Sequence, residues 1–248
     1  MKDVRKTLLE RRSIRRYERE QLTENQLDLI YDAIENTPTS YNGQQFTVID
    51  VSDQEVKERL YELTGQKQIK TCSHFMVFCA DYYRIHKAAE AKGISWPGFN
   101  NTADGLIVGV VDAALAMMSA IVAAESMGLG TCPIGYARTA APTEISGILG
   151  LPDEVFVVCG LAIGVPREMP DLKPKMSRSL LIHGNEYRRD NIAGEVLEYD
   201  KLIEEYTANR SGQAKVHAWI DNIIGYYSEA MDYTMLDALM RRGFSLER

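Results

Sequence analysis

The stretch Glu10-Arg11-Arg12-Ser13-Ile14-Arg15-Arg16-Tyr17 puts four arginines and one serine into six consecutive positions, in a chain whose formal net charge is −7. An acidic chain does not need such a cluster for solubility. A guanidinium is a planar fork of donors that keeps its charge, and it matches phosphate and carboxylate groups. Ser13 adds a short donor for the same anion. The competing reading is a solvated helix end, where cations are also favoured. Other segments bear on that choice. Residues 39–45, Thr-Ser-Tyr-Asn-Gly-Gln-Gln, gather neutral hydroxyl and amide groups in what reads as a loop. Gln66-Lys67-Gln68 reads as a polar turn. Pro133-Ile134-Gly135 ends a short strand, and glycine there lets backbone approach a ligand closely. Lys173 and Lys175 flank Pro174, which holds the path between them extended.

No nucleophile motif accompanies these pieces. The chain has no GxSxG, no P-loop, no HExxH and no GxGxxG. His74, His86, His183 and His217 show no metal-ligand spacing, so no metal site is expected. The distributed set suits a phosphorylated aromatic ligand. Cations would take the phosphate, neutral donors the ribityl hydroxyls and ring edges, and apolar walls the ring system. A cofactor would then carry redox chemistry that the protein only positions.

These residues need elements to hold them. The 248 residues are 45% hydrophobic and 25% charged, as in an ordinary globular protein with one sizeable core. Residues 3–11 read as a helix with Val4, Leu8 and Leu9 on its apolar face. Thr23 and Gln26 make a capping box before a helix striped by Leu27, Ile30, Tyr31 and Ile34, and Pro38 stops it. The pattern predicts a strand over 46–51 and a second capping box at Ser52 and Glu55. The helix it opens buries Val56, Leu60 and Leu63 and ends near Gly65. Residues 75–80 are an unbroken apolar run, hence a central strand buried on both faces. Gly93, Pro97 and Gly98 mark 81–101 as a mobile loop around Trp96 and Phe99. The run 106–127 is apolar nearly all round and predicts a helix in the core or a subunit interface. Asp112 and Glu125 interrupt it, and 113–124 is too short to cross a bilayer. A short strand near 131–136, a helix over 143–149 and a strand over 155–163 follow. From Asp190 the chain turns polar and helical. Strands and helices do not alternate regularly, so the fold class is α+β. The expectation is one domain, 1–248, with 190–248 as a C-terminal extension.

Cys72, Cys79, Cys132 and Cys159 have no paired spacing and read as reduced core residues of a cytoplasmic protein. The N-terminus lacks the apolar run of a secretory signal. A pI near 5.2 argues against a nucleic-acid surface. No membrane partner is expected.

Several segments in order resemble the nitroreductase family. They are Arg11-Arg12-Ser13-Ile14-Arg15, residues 123–130 (Ala-Ala-Glu-Ser-Met-Gly-Leu-Gly), Ile134-Gly135, Gly164-Val165-Pro166 and Asp171-Leu172-Lys173-Pro174-Lys175. The likeness runs from about Lys6 to the C-terminus and is strongest to the oxygen-insensitive, NADPH-dependent flavin reductases. It implies a central, mostly antiparallel sheet flanked by helices, an intertwined homodimer, and one FMN per subunit held by both chains. It implies FMN contacts at Arg11, Arg12, Ser13 and Arg15, with Arg15 on the phosphate. It further implies contacts at Thr39, Ser40, Gln44 and at Gln66 or else Gln68, and at Pro133, Ile134 and Gly135 against the isoalloxazine. Lys173 and Lys175 would complete the phosphate site. Arg210 and Lys215 would grip the 2′-phosphate of NADPH. The chain departs from the family pattern at Arg11, where histidine is common, and at Tyr41-Asn42-Gly43, where serines are. Lys175 and Lys215 stand where arginine is usual. The implied activity is FMN-dependent reduction of nitroaromatics, quinones or free flavins by NAD(P)H, through ping-pong hydride transfer with no catalytic side chain. The alternative is a non-catalytic flavin-binding redox sensor or storage protein.

Overall fold

A computed structural model of the chain describes residues 3–209 and 216–247. It divides into two compact units, Met1–Pro170 with Thr234–Arg248, and Asp171–Tyr233.

The first unit opens with α1 (Val4–Glu10). Val4, Leu8 and Leu9 are exposed and Thr7 packs inward, so the apolar face expected to be buried is uncovered within this chain. α2 (Glu24–Glu35) carries the expected capping box: Gln26 N donates to Thr23 Oγ1 at 3.3 Å, and Thr23 N donates to Gln26 Oε1 at 2.9 Å. β1 (Phe46–Val51) follows a single 3-10 turn at Ser40–Asn42. α3 (Gln54–Thr64) is capped by Asp53, not Ser52, with Val56 N donating to Asp53 Oδ1 at 2.9 Å. A carboxylate both accepts that bond and complements the positive helix end. Gly65, at φ 67°, ends the helix in the left-handed conformation.

The expected polar turn at 66–68 is instead the start of a short helix, α4 (Lys67–Thr71), held by buried Ile69. β2 (His74–Asp81) is buried throughout. α5 (Tyr83–Ala91) fills the first half of the segment expected to be a mobile loop. The glycines and proline that suggested a loop all lie beyond it. Trp96 there stacks on His86, centroids 5.3 Å apart, and donates to Asn100 Oδ1 at 3.2 Å. Next come α6 (Ala103–Ser126), β3 (Gly130–Ile134), α7 (Tyr136–Thr139), α8 (Pro142–Ile148) and β4 (Val155–Gly164).

The sheet order is β1-β2-β4-β3, with every pairing antiparallel. Alternation along β2 sorts the core into two layers. Met76, Phe78 and Ala80 pack with Ile30 and Ile34 of α2 and with the alanines of α6. Phe75, Val77 and Cys79 pack with Leu60, Ile69, Ala137 and Ile145 from α3, α4, α7 and α8. A bulge opposite Phe78 and Cys79 leaves Val158 without a partner. The extra residue shifts the parity of β4, so Phe156, Val158, Leu161 and Ile163 all reach the α6 layer.

α6 is 24 residues long, and by length and composition alone it could cross a membrane. The run 113–124 judged too short to cross is half of that length. Its packing decides its role. Gly109 lies so close to the sheet that a Cβ there would stand 2.8 Å from Ala80 Cβ. Ala113, Ala116, Ala120 and Ala124 are fully buried, and so is Asp112. The opposite stripe of Ile107, Val111, Leu115 and Met118 is exposed.

The second unit holds α9 (Arg178–Leu181), α10 (Ile192–Asn209) and α11 (Trp219–Ala230). Tyr199 meets Trp219 edge to face at 5.6 Å, and Ile220 N donates to Asp200 Oδ1 at 2.7 Å. α12 (Met235–Arg241) belongs to the first unit. Beyond it, Phe244 packs its ring 6.2 Å from both Tyr82 and Phe156.

Candidate cofactor site

After α1 the arginine segment becomes extended. Ser13 bridges Thr131 in parallel, with Ile14 N donating to Thr131 O at 2.9 Å. Gly130 makes this approach possible, since a Cβ there would fall 2.8 Å from Ile14. Tyr17 bridges Pro166, Glu18 N donates to Val165 O at 2.9 Å, and Arg167 N donates to Arg16 O at 3.0 Å. The buried Tyr17 hydroxyl anchors the turn by donating to Ile14 O at 2.6 Å, and it also stands 3.2 Å from Ala162 O. Burial pushes its phenol far above the ordinary range. The segment is thus fixed against β3 and the exit of β4, which presents Arg15 outward.

The arginines divide by what they touch. Arg12 donates from Nε to Glu10 O at 3.0 Å and from Nη1 to Pro170 O at 2.8 Å, so it braces backbone. Arg11 Nε stands 3.6 Å from Glu125 Oε1, yet its Nε and Nη2 are sealed from solvent without a hydrogen-bond partner. Among the described residues no carboxylate pairs with the Arg15 guanidinium, whereas Arg16 pairs with Glu168 at 3.7 Å. Arg15, Arg16, Lys67 and Arg167 line a cleft of about 510 Å3 together with Gln68. Burial pushes the Cys132 thiol up. Burial likewise raises Cys159, and it pushes Cys72 and Cys79 up to about 12, so these thiols are poor nucleophiles.

The hydroxyl and amide loop is shaped by Asp112. Its two carboxylate oxygens accept from Ser40 N at 3.0 Å and Gln45 N at 3.2 Å. Thr39 Oγ1 accepts from Gln44 N at 3.2 Å. Tyr41, Asn42 and Gln44 have φ of 56°, 52° and 52°, left-handed values that these bonds maintain. The Gln44 side chain is exposed. Gln68 Nε2 donates to Gln66 Oε1 at 2.9 Å, and of the two it is Gln68 that lines the Arg15 cleft.

Pro133 is half-buried, Ile134 is buried and Gly135 is exposed. Gly135 has an ordinary φ of −66°, and a Cβ there would meet nothing within 4 Å. Nothing in the chain itself requires a glycine at that point. Lys173 and Lys175 are exposed residues of the second unit, where Lys175 lines a separate cleft with Ser177, Glu195 and Tyr199. Arg210 and Lys215 lie outside the described residues. Sequence reasoning did not assign Asp112, Glu125, Tyr17 or Arg167, and it left Gln68 as the alternative to Gln66. A signal for the first two was visible: past its first turn, α6 has two acids in an apolar helix, and each holds one wall of the site.

This architecture has known relatives. The nitroreductase family profile matches residues 8–165, and the profile of the nitroreductase family C-terminal domain matches 173–247. A curated FMN reductase, NAD(P)H, of Bacillus subtilis (strain 168) is 36% identical over 250 residues, covering 100% of both chains. An FMN reductase (NADPH) of the same organism is 33% identical over 99% of both. The solved structure of the hypothetical oxidoreductase YcnD from Bacillus subtilis matches with a TM-score of 0.95 at 35% identity over 100% of both chains. The chain belongs to the nitroreductase family.

Proposed function

We propose that the cleft at Arg15 and the 39–45 loop seat the FMN of this NAD(P)H oxidoreductase. The chain is an FMN-dependent enzyme that draws on NADPH. The observation that carries the assignment of residues is the state of the arginines. Among the described residues the Arg15 guanidinium makes no ion pair, and it lines a cleft with the cations Arg16, Lys67 and Arg167, in an acidic protein. Such groups fit a phosphate dianion.

FMN supplies the hydride chemistry when bound. Arg15, with Arg11 and Ser13, orients the phosphate. Thr39, Ser40 and Gln44 present neutral donors and acceptors to the ribityl chain and ring edge, with Gln66 and Gln68 completing the amide set. Pro133, Ile134 and Gly135 form the edge proposed for the ring, with open space at Gly135. Arg12 is given the role of holding this segment in shape. Lys173 and Lys175 are proposed phosphate ligands from the sequence pattern alone, and Arg210 and Lys215 are proposed on the same ground for the 2′-phosphate of NADPH. Acceptors are nitroaromatics, quinones or free flavins.

The working unit is a homodimer. Its support is the exposed stripe on α6, at helical spacing, together with the uncovered face of α1. Free cysteines fit a cytoplasmic location. The test is the absorption spectrum of the purified chain, followed by anaerobic titration with NADPH and NADH. A yellow protein that bleaches on NADPH addition is expected. A colourless protein that cannot be reconstituted with FMN overturns the proposal, and a yellow one that does not bleach marks a binding module.

A further inference from the structure

The cleft at Arg15 carries more cations than one phosphate needs. Four of its lining residues are basic, Arg15, Arg16, Lys67 and Arg167, and none is acidic, in a chain with 35 acids and 28 bases. The fold itself crowds two of them. Tyr17 bridges Pro166 in antiparallel register, so Arg16 and Arg167 stand directly opposite, and Arg167 N donates to Arg16 O at 3.0 Å. Like charges facing each other across a ladder are destabilising. The neighbouring Glu168 offsets only part of this charge. Its Oε1 accepts from Arg15 N at 2.8 Å, and its Oε2 lies 3.7 Å from Arg16 Nε. Among the described residues, Lys67 and Arg167 make no ion pair.

The cleft also has room to spare. Its volume of about 510 Å3 is that of a small-molecule site, not of one phosphate group. Apart from Gln68, none of the residues assigned to the ribityl chain or the ring lines it. On that assignment its space lies past the phosphate end of the flavin. Gly65 and Thr71 there are exposed and uncharged, and a Cβ at Gly65 would meet nothing within 4 Å.

We propose that Arg16, Lys67 and Arg167 form a second phosphate subsite, and that the chain therefore accepts FAD in place of FMN. In FAD a second phosphate is bonded directly to the first and carries adenosine. With the first phosphate on Arg15, the second meets Lys67 and Arg167, and the adenosine leaves past Gly65 and Thr71. A diphosphate spreads its charge over two adjacent positions, which matches cations spread along a cleft. The guanidinium fork of Arg167 suits two phosphate oxygens at once, and Lys67 adds a point charge. Arg16, already beside Glu168, contributes field more than contact. The proposal rests on Arg15 holding the flavin phosphate.

Calorimetric titration of the flavin-free full chain with FMN and with FAD at pH 8 tests this. Both flavins then carry about two negative charges, so a general field of cations acts on them alike. FAD should bind within about threefold of FMN. The double variant Lys67→Ala/Arg167→Ala should weaken FAD about tenfold more than FMN, the worth of one charge-assisted bond. Both side chains are exposed, so the variant should keep its unfolding temperature. Steady-state KM for NADPH and NADH, measured on the FMN-loaded variant, separates a flavin-borne phosphate from that of the electron donor. FMN binding without FAD binding, equal losses of both flavins in the variant, or a loss seen only as a higher KM for the two donors would overturn the proposal. The comparison in the unmodified chain decides even if the variant does not fold. A chain that binds neither flavin fails at the FMN reading, whereas one that refuses FAD alone leaves that reading intact.

Discussion

Arg11 on the arginine segment and Glu125 near the end of α6 face each other at 3.6 Å, and Thr131 of β3 donates to the same carboxylate. Three elements therefore meet at one partly buried charge pair. Arg11→Ala removes the cation that stands 3.6 Å from Glu125, a residue 8% exposed. The expected cost is about 2 kcal/mol in urea unfolding of the FMN-free protein. The double variant Arg11→Ala/Glu125→Gln should recover most of that loss. Full stability of the single variant would mean the pair has no structural weight.

Arg15→Ala should separate fold from ligand. Its guanidinium is exposed and makes no ion pair among the described residues, so thermal unfolding of the FMN-free protein should not change. FMN affinity, followed by quenching of flavin fluorescence, should fall tenfold or more, as expected for a charge-assisted bond. An unchanged dissociation constant rejects the phosphate assignment.

Gly135 offers an opposite-signed pair of effects. Gly135→Ala meets no atom and keeps an allowed φ, so the FMN-free protein should gain about 0.5 kcal/mol from a stiffer unfolded chain. Gly135→Val should weaken FMN by roughly tenfold or more if ligand lies against this edge, the order of one bulky misfit. Equal FMN binding by both variants would place the ring elsewhere.

The buried thiols set an alkaline limit. Cys72 and Cys79 sit near 12 in the fold against an ordinary value near 9. The unfolded chain therefore loses these protons first, and stability present below about pH 9 declines as pH rises toward 12. Each thiol contributes a slope of about 1.4 kcal/mol per pH unit within that window. Urea unfolding at pH 8 and pH 10 measures the decline, and Cys79→Ala should reduce its slope.

We propose, from the sequence pattern alone, that Arg210 and Lys215 carry the donor preference. Arg210→Ala should raise KM for NADPH several-fold more than KM for NADH, because only NADPH carries the extra phosphate. Added salt should narrow the difference between donors. An equal effect on both donors in steady-state assays removes Arg210 from the site.

Patterns local to a few residues were legible in the sequence. The Thr23 capping box, the β1 limits, the two-sided burial of β2 and the helical run of α6 depend on spacing of three or four residues, or on strict apolar continuity. The arginine cluster suggested an anion site for the same reason, since charge and residue type are local facts. Pairing across the chain was not legible. The sequence cannot say that Arg12 turns to carbonyls at Glu10 and Pro170 while Arg15 stays unpaired, because those partners are set by how residues 13–18 dock on β3 and β4. Nor can it choose between Gln66 and Gln68, whose amides touch in the fold while only Gln68 lines the Arg15 cleft. Asp112 and Glu125 looked like interruptions of an apolar run. Only the packing of α6 against the sheet makes one the cap of the 40–45 loop and the other the counter-charge of Arg11, because burial turns a stray carboxylate into a group that must find partners.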